Sequence, residues 1–130
     1  MKVNLGCGKD KRIGWFNTDR IFSIKKKPNS VKAILANHIV MYIRPEDKMF
    51  SKWYGWLKKG GTIHIETQDF RNIKDIETLY GTGNNAGHRW VWTPKSLKEE
   101  LKKAGFKKII SMPGILHGKP ERDFLIIAIK

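Results

Sequence analysis

Two glycines flank a cysteine at Gly6-Cys7-Gly8, directly after the apolar run Val3-Asn4-Leu5, and Asp19 closes the next short segment. Glycine lets the backbone take positive φ and approach a ligand closely. A carboxylate at the end of a following strand either accepts hydrogen bonds from ribose hydroxyls or serves as a plain turn residue. The combination points toward nucleotide-type binding. It is not a dinucleotide fingerprint, because Arg12 and Ile13 stand before Gly14, and no Gly-Lys-Ser or Gly-Lys-Thr phosphate loop occurs. The remaining residues with acid–base capacity near predicted strand ends are His38, Asp69, His88 and His117. His38 and Asp69 each follow a predicted strand and are expected at the ligand edge, whereas His88 and His117 fall in loops. No His, Asp or Glu spacing matches a metal site, so no metal is expected. Trp90 and Trp92 share a face if that stretch is extended, and either stack on a ring or anchor the core.

The elements that must position these residues alternate between strand and helix patterns, which predicts a largely parallel sheet with crossover connections. Strands are expected at Lys2 to Leu5, Trp15 to Thr18, Lys32 to Asn37, Thr62 to Glu66, Lys107 to Met112 and Asp123 to Ile129. A helix should open at Pro45, with Glu46 and Asp47 in its first turn, and run to Lys58-Lys59 before Gly60-Gly61. Its apolar positions Met49, Phe50, Trp53, Trp56 and Leu57 recur at helical spacing. A weaker helix covers Asn72 to Tyr80, and a glycine and asparagine loop covers Gly81 to Gly87. The last helix opens with Thr93-Pro94, carries Leu97, Leu101 and Ala104 on one face, and stops at Gly105.

At 130 residues the chain has room for one domain, with 40% hydrophobic and 29% charged residues, a globular balance. Its longest apolar run, Phe124 to Ile129, is far too short to span a membrane. Residues Met1 to Arg12 hold charges and glycines where a secretion signal needs an apolar core. With Cys7 the only cysteine, no internal disulfide can form, and a reducing, cytoplasmic setting is expected. Lys and Arg number 26 against 12 Asp and Glu, a formal charge of +14. Such a field attracts polyanions, nucleic acid among them, or simply keeps the surface solvated.

Asn4-Leu5-Gly6-Cys7-Gly8 and Gly14-Trp15-Phe16-Asn17-Thr18-Asp19 together resemble the opening of small class I S-adenosylmethionine-dependent methyltransferases. The likeness continues through Ala33-Ile34-Leu35-Ala36-Asn37-His38, Trp56-Leu57-Lys58-Lys59-Gly60-Gly61 and Ile63-His64-Ile65-Glu66. It extends to His88-Arg89-Trp90, Trp92-Thr93-Pro94, Ala104-Gly105-Phe106 and Arg122-Asp123, in the family's order and over nearly the whole chain. The resemblance implies a Rossmann-like α/β sheet, mostly parallel, with an antiparallel last strand. S-adenosylmethionine would be its cofactor, held by Asn4, Gly6, Cys7, Gly8, Asp19, Asn37 and His38. His38 and Asp69 would be the catalytic residues, and His88, Trp92 and His117 would meet a small-molecule or glycan-type acceptor.

Two departures stand out. Between Asp19 and Val31 the chain is short, basic at Lys25-Lys26-Lys27, and free of Asp and Glu, so the family's third strand, an edge strand, is expected to be missing. The lysines would then guard the exposed edge, or a homodimer would cover it. The first crossover, Lys9 to Ile13, holds at best one helical turn. With one wall of the adenine pocket gone, a second reading is a non-catalytic binding module or partner subunit of the same fold, with nucleic acid as one partner for its basic surface.

Overall fold

The computed structural model describes residues 1–81 and 87–130. Most of the loop expected at Gly81 to Gly87 lies outside the described residues. Six strands form one sheet: β1 (Lys2–Leu5), β2 (Phe16–Thr18), β3 (Val31–Asn37), β4 (Leu57–Gln68), β5 (Lys108–Pro113) and β6 (Asp123–Ile129). Their order across the sheet is β2-β1-β3-β4-β6-β5. The first four run parallel, and β6 lies antiparallel between β4 and β5. This is the Rossmann-like arrangement expected. Among the described residues no strand lies outside β2, so the third strand is indeed absent.

The register divides the sheet into two faces, because residues paired across parallel or antiparallel ladders point the same way. Val3, Ile34, Ile63 and Ala128 form one aligned row, and Leu5, Ala36, Ile65 and Ile126 form the next but one. All are buried, and they build the core with α1 (Met49–Trp56) and α3 (Pro94–Ala104). A short helix α2 (Ile76–Tyr80) lies at the carboxyl edge, capped by the Asp75 carboxylate on the Thr78 N–H. The basic connection 19–30 stays on the core side, where Ile21 and Ile24 pack against the cluster. Its Lys26 Nζ sits 3.3 Å from the centre of the Phe16 ring, a cation–π contact over the β2 edge.

One expected helix is corrected. Pro45–Asp47 forms a separate 3-10 turn, and Lys48 follows in the left-handed conformation at φ 55°. α1 then ends at Trp56, and Leu57 already belongs to β4. Gly60 and Gly61 do not stop a helix. They lie within β4, where the Gly60 N–H donates to the Lys130 carbonyl and Lys130 N–H donates to Gly61. Pairing with β3 and β6 decides the backbone here, over the helical spacing of the apolar residues. The closing helix holds as expected, with Thr93 and Ser96 capping each other's backbone N–H.

Candidate functional site

The glycine turn sits at the carboxyl end of β1, where open α/β sheets bind ligands. Gly6 has φ 59° and Gly8 φ 50°, both in the region that favours glycine. Their roles differ. A Cβ on Gly6 would collide with the Ile39 side chain, so this glycine allows close packing of the turn on the chain beyond β3. A Cβ on Gly8 would meet nothing within 4 Å, so its backbone faces open space. Asp19 stands beside it: its Oδ1 accepts the Gly8 N–H at 2.6 Å and the Cys7 thiol at 3.7 Å. The second carboxylate oxygen has no protein partner among the described residues, and the side chain is exposed. Burial and the nearby Asp19 charge push the Cys7 thiol up, so it rests as an inert, neutral group.

Asn4, expected as a cofactor contact, acts as a brace within the fold. It is 1% exposed, and its amide donates to the Asp10 carbonyl at 2.7 Å and to Asn17 Oδ1 at 2.9 Å. Asn17 in turn holds Arg12 through its backbone N–H and carbonyl. These two asparagines fasten the helix-free crossover onto the upper part of the sheet.

A second group gathers at the carboxyl ends of β3 and β4. His38 adopts φ 56°, with Nε2 3.0 Å from Asp123 Oδ2 and Nδ1 2.7 Å from Asn37 Oδ1. Asp123 is buried, and burial alone would raise its pKa. The hydrogen bonds from His38 and Arg122 outweigh that and hold the carboxyl at about 2. Arg122 reaches both carboxylate oxygens, at 2.7 and 3.1 Å. Asp123 is therefore an acceptor, and His38 Nε2 carries the proton between them. The His117 ring lies on that of His38 with centroids 4.2 Å apart. Burial, and then the charge His38 carries when protonated, lower the His117 pKa and favour its neutral form.

Glu66 fixes the loop that carries His117. Fully buried in β4, it accepts the backbone N–H groups of Ile115 at 2.5 Å, Leu116 at 2.8 Å and His117 at 2.7 Å. Gly114 makes room for this, since a Cβ there would lie 2.7 Å from the Asp123 Cβ. One ligand atom each of His38, Glu66 and Asp123 lies within 4.8 Å of the others. Each already has protein donors or a ring partner, including the Arg122 cation, so the group is bonded as a hydrogen-bond network.

The remaining expected residues separate. Asp69 is buried, caps the turn Phe70–Asn72 and holds Arg71 at 2.6 Å. That ion pair occupies its carboxylate. Trp92, expected as a substrate contact, is 1% exposed, donates its indole N–H to the Val40 carbonyl at 2.9 Å, and packs on Phe50. Trp90, at 40% exposed, takes the outward position instead. His88 lines a cleft of about 320 Å³ with Phe70, Tyr80, Arg89 and Trp90. The sequence reading missed Glu66, Asp123 and Arg122. The available signal was a carboxylate inside the apolar run Ile63-His64-Ile65-Glu66, since a buried acid needs donors.

A family model described as a methyltransferase domain matches residues 8–111. Among solved structures, a SAM dependent methyltransferase from Archaeoglobus fulgidus aligns with a TM-score of 0.73 and 16% identity, over 99% of this chain and 85% of that one. An S-adenosylmethionine dependent methyltransferase from Mesorhizobium loti gives 0.69 and 13%, over 99% and 90%. Phosphoethanolamine N-methyltransferase 2 of Haemonchus contortus, solved with S-adenosyl-L-methionine, gives 0.73 and 12%, over 99% of this chain and 48% of that enzyme. At these identities the structural likeness speaks to the fold. No curated protein matches the sequence.

Proposed function

Because the chain belongs to the methyltransferase-domain family, we propose that it is an S-adenosylmethionine-dependent methyltransferase acting on a small-molecule or glycan-type acceptor. The observation that carries this is the pairing of Gly8 with Asp19: a backbone facing open space beside an exposed carboxylate with one oxygen free. An exposed carboxylate acceptor suits a ribose diol, whose hydroxyls donate to it. Gly8 would pass close to the cofactor, and Gly6 and Cys7 would shape the turn. Asn37 and His38 would border the same space from β3, since Ile39 packs directly against Gly6. When bound, S-adenosylmethionine supplies an electrophilic methyl group on a sulfonium.

The chain's own residues then have two tasks. One is to hold the acceptor in line, and the other is to take its proton. His117 is the better placed base. The residue is exposed although one side of its ring lies against His38, and partial burial favours its neutral form, whereas both ring nitrogens of His38 are engaged. His38, oriented by Asp123, supports the His117 ring from behind. Asp69, held by Arg71, is the weaker candidate. The aromatic cleft around His88 offers apolar surface for an acceptor, with Arg89 for an anionic group.

Calorimetric titration with S-adenosylmethionine and S-adenosylhomocysteine tests the reading. Binding is expected, and Asp19→Ala should weaken it by about 1–3 kcal/mol, the usual cost of losing hydrogen bonds to a charged group. An unchanged affinity would remove Asp19 from the site. Failure of the wild-type chain to bind either compound would favour a binding module that keeps the fold without the chemistry. The short 19–30 connection supports that second reading, because it leaves the adenine side of the pocket without a third strand.

A further inference from the structure

Parallel strands are ordinarily covered by helices on both faces. Here α1 and α3 cover one face, and among the described residues the crossovers 6–15 and 19–30 contain no helix for the other. The first crossover and the loop at 114–121 lie over the carboxyl ends of the strands, through Asn4 and Glu66. Over β1 and β3 the lower half of that face is covered, with Leu35 buried in the His64 row and Lys2 Nζ 5.4 Å from the Trp15 ring, and it opens toward β6 and β5. Its rows follow from the register. His64, Ile127 and Ile110 stand side by side, and Lys2, Ala33, Thr62, Ile129 and Lys108 form the adjacent row. Ile110 is 56% exposed and Ile129 37%, while Ile127 and His64 are half-buried.

An apolar stripe of this kind, rimmed by polar groups, marks an interaction site. Its rim is basic. Lys2 and Lys108 end the lower row, and neither row contains a carboxylate. Beyond Ile129 and Lys108 a cleft of about 600 Å³ opens toward Tyr54 and Gly105 on the helix-covered side, where Lys130 Nζ donates to the Tyr54 carbonyl. A second copy of the chain would bring the same lysines against each other, on molecules of formal charge +14, and like charges in apposition disfavour that pairing. A nucleic acid would satisfy the lysines and leave the isoleucines without an apolar partner.

We propose that this face seats an amphipathic helix of a partner protein, with its apolar side on Ile110, Ile127 and Ile129 and acidic residues against Lys2 and Lys108. The helix would supply the layer that the short crossovers lack. This does not depend on methyl transfer, and no cofactor enters its test.

The probe is a fluorescent synthetic helix of about 18 residues, roughly 27 Å long, with leucines on one side and glutamates flanking them. A control peptide carries lysines in place of the glutamates. Fluorescence anisotropy with the full chain should show binding of the acidic peptide alone. Ile110→Glu and Lys108→Glu should each weaken it by about tenfold or more. Both positions are exposed, and near-ultraviolet circular dichroism verifies that the variants fold. Lys95→Glu, on the outer surface of α3, should leave binding unchanged. Equal binding of both peptides, no binding of the acidic one at about 1 mM, or indifference to Ile110→Glu would overturn the proposal. So would a dimer in sedimentation that Ile110→Glu dissociates, which would make the occupant a second copy. A single-stranded oligonucleotide whose binding depends equally on Ile110 would replace the helix with nucleic acid.

Discussion

Asp123 is a carboxylate enclosed by a histidine and a guanidinium, and its ionisation is linked to folding. Its pKa falls from 3.8 to about 2 in the folded chain, a difference of about 2 kcal/mol. Because the folded value is depressed, this stabilisation is fully present above the unfolded value and is lost as pH drops through about 2. Asp123→Asn should therefore cost about 2 kcal/mol or more at neutral pH, and the gap to wild type should close as pH falls from 3.8 to about 2. Urea denaturation of both proteins across that range measures it; a gap independent of pH would mean that the carboxylate charge is not what holds His38 and Arg122. In the sequence, Gly8 and Asp19 were legible as neighbours because both sit at strand ends within one short stretch, and the Gly8 N–H does donate to Asp19. The network around Asp123 was not. Its partner His38 lies 85 positions away, and only the placement of β6 beside β4 brings them together.

At the scale of elements, two tryptophans of similar burial divide by one hydrogen bond. Trp92 ties the segment after His88 to the 3-10 turn Val40–Tyr42 through the Val40 carbonyl. The Trp53 indole N–H in α1 is buried with no acceptor among the described residues. Each loses ring volume when changed to phenylalanine, but only Trp92→Phe also removes a hydrogen bond, on a Val40 carbonyl that keeps the Ile43 N–H. Trp92→Phe should thus exceed Trp53→Phe in destabilisation by about 0.5–1.5 kcal/mol, the net worth of one hydrogen bond, read by chemical denaturation; equal costs would show that packing alone fixes the segment. α3 was fully legible from Thr93-Pro94 and Gly105, because its caps are local. The stretch from Pro45 to Gly61 was not. Met49, Phe50, Trp53 and Trp56 do lie on one buried helical side, yet Leu57 is equally buried as a strand residue opposite Val31. Periodicity cannot mark that change, since one apolar residue serves either element.

For the molecule as a whole, a formal charge of +14 works against compaction. Raising ionic strength from about 0.01 M to about 0.15 M shortens the screening length from about 30 Å to about 8 Å, so thermal stability should rise across that interval. A melting temperature that falls would mean that attractive ion pairs outweigh the repulsion among lysines. The strand order also governs how the chain matures on the ribosome. β6 is the neighbour of both β4 and β5, so neither gains that partner until residues 123–129 have been made. Until then the nascent chain carries β4 as an open sheet edge. The amides that satisfy Glu66 also arrive late, with residues 115–117. Unfinished chains hold a buried-type carboxylate without donors, and completion of the last strand is the event that closes the sheet.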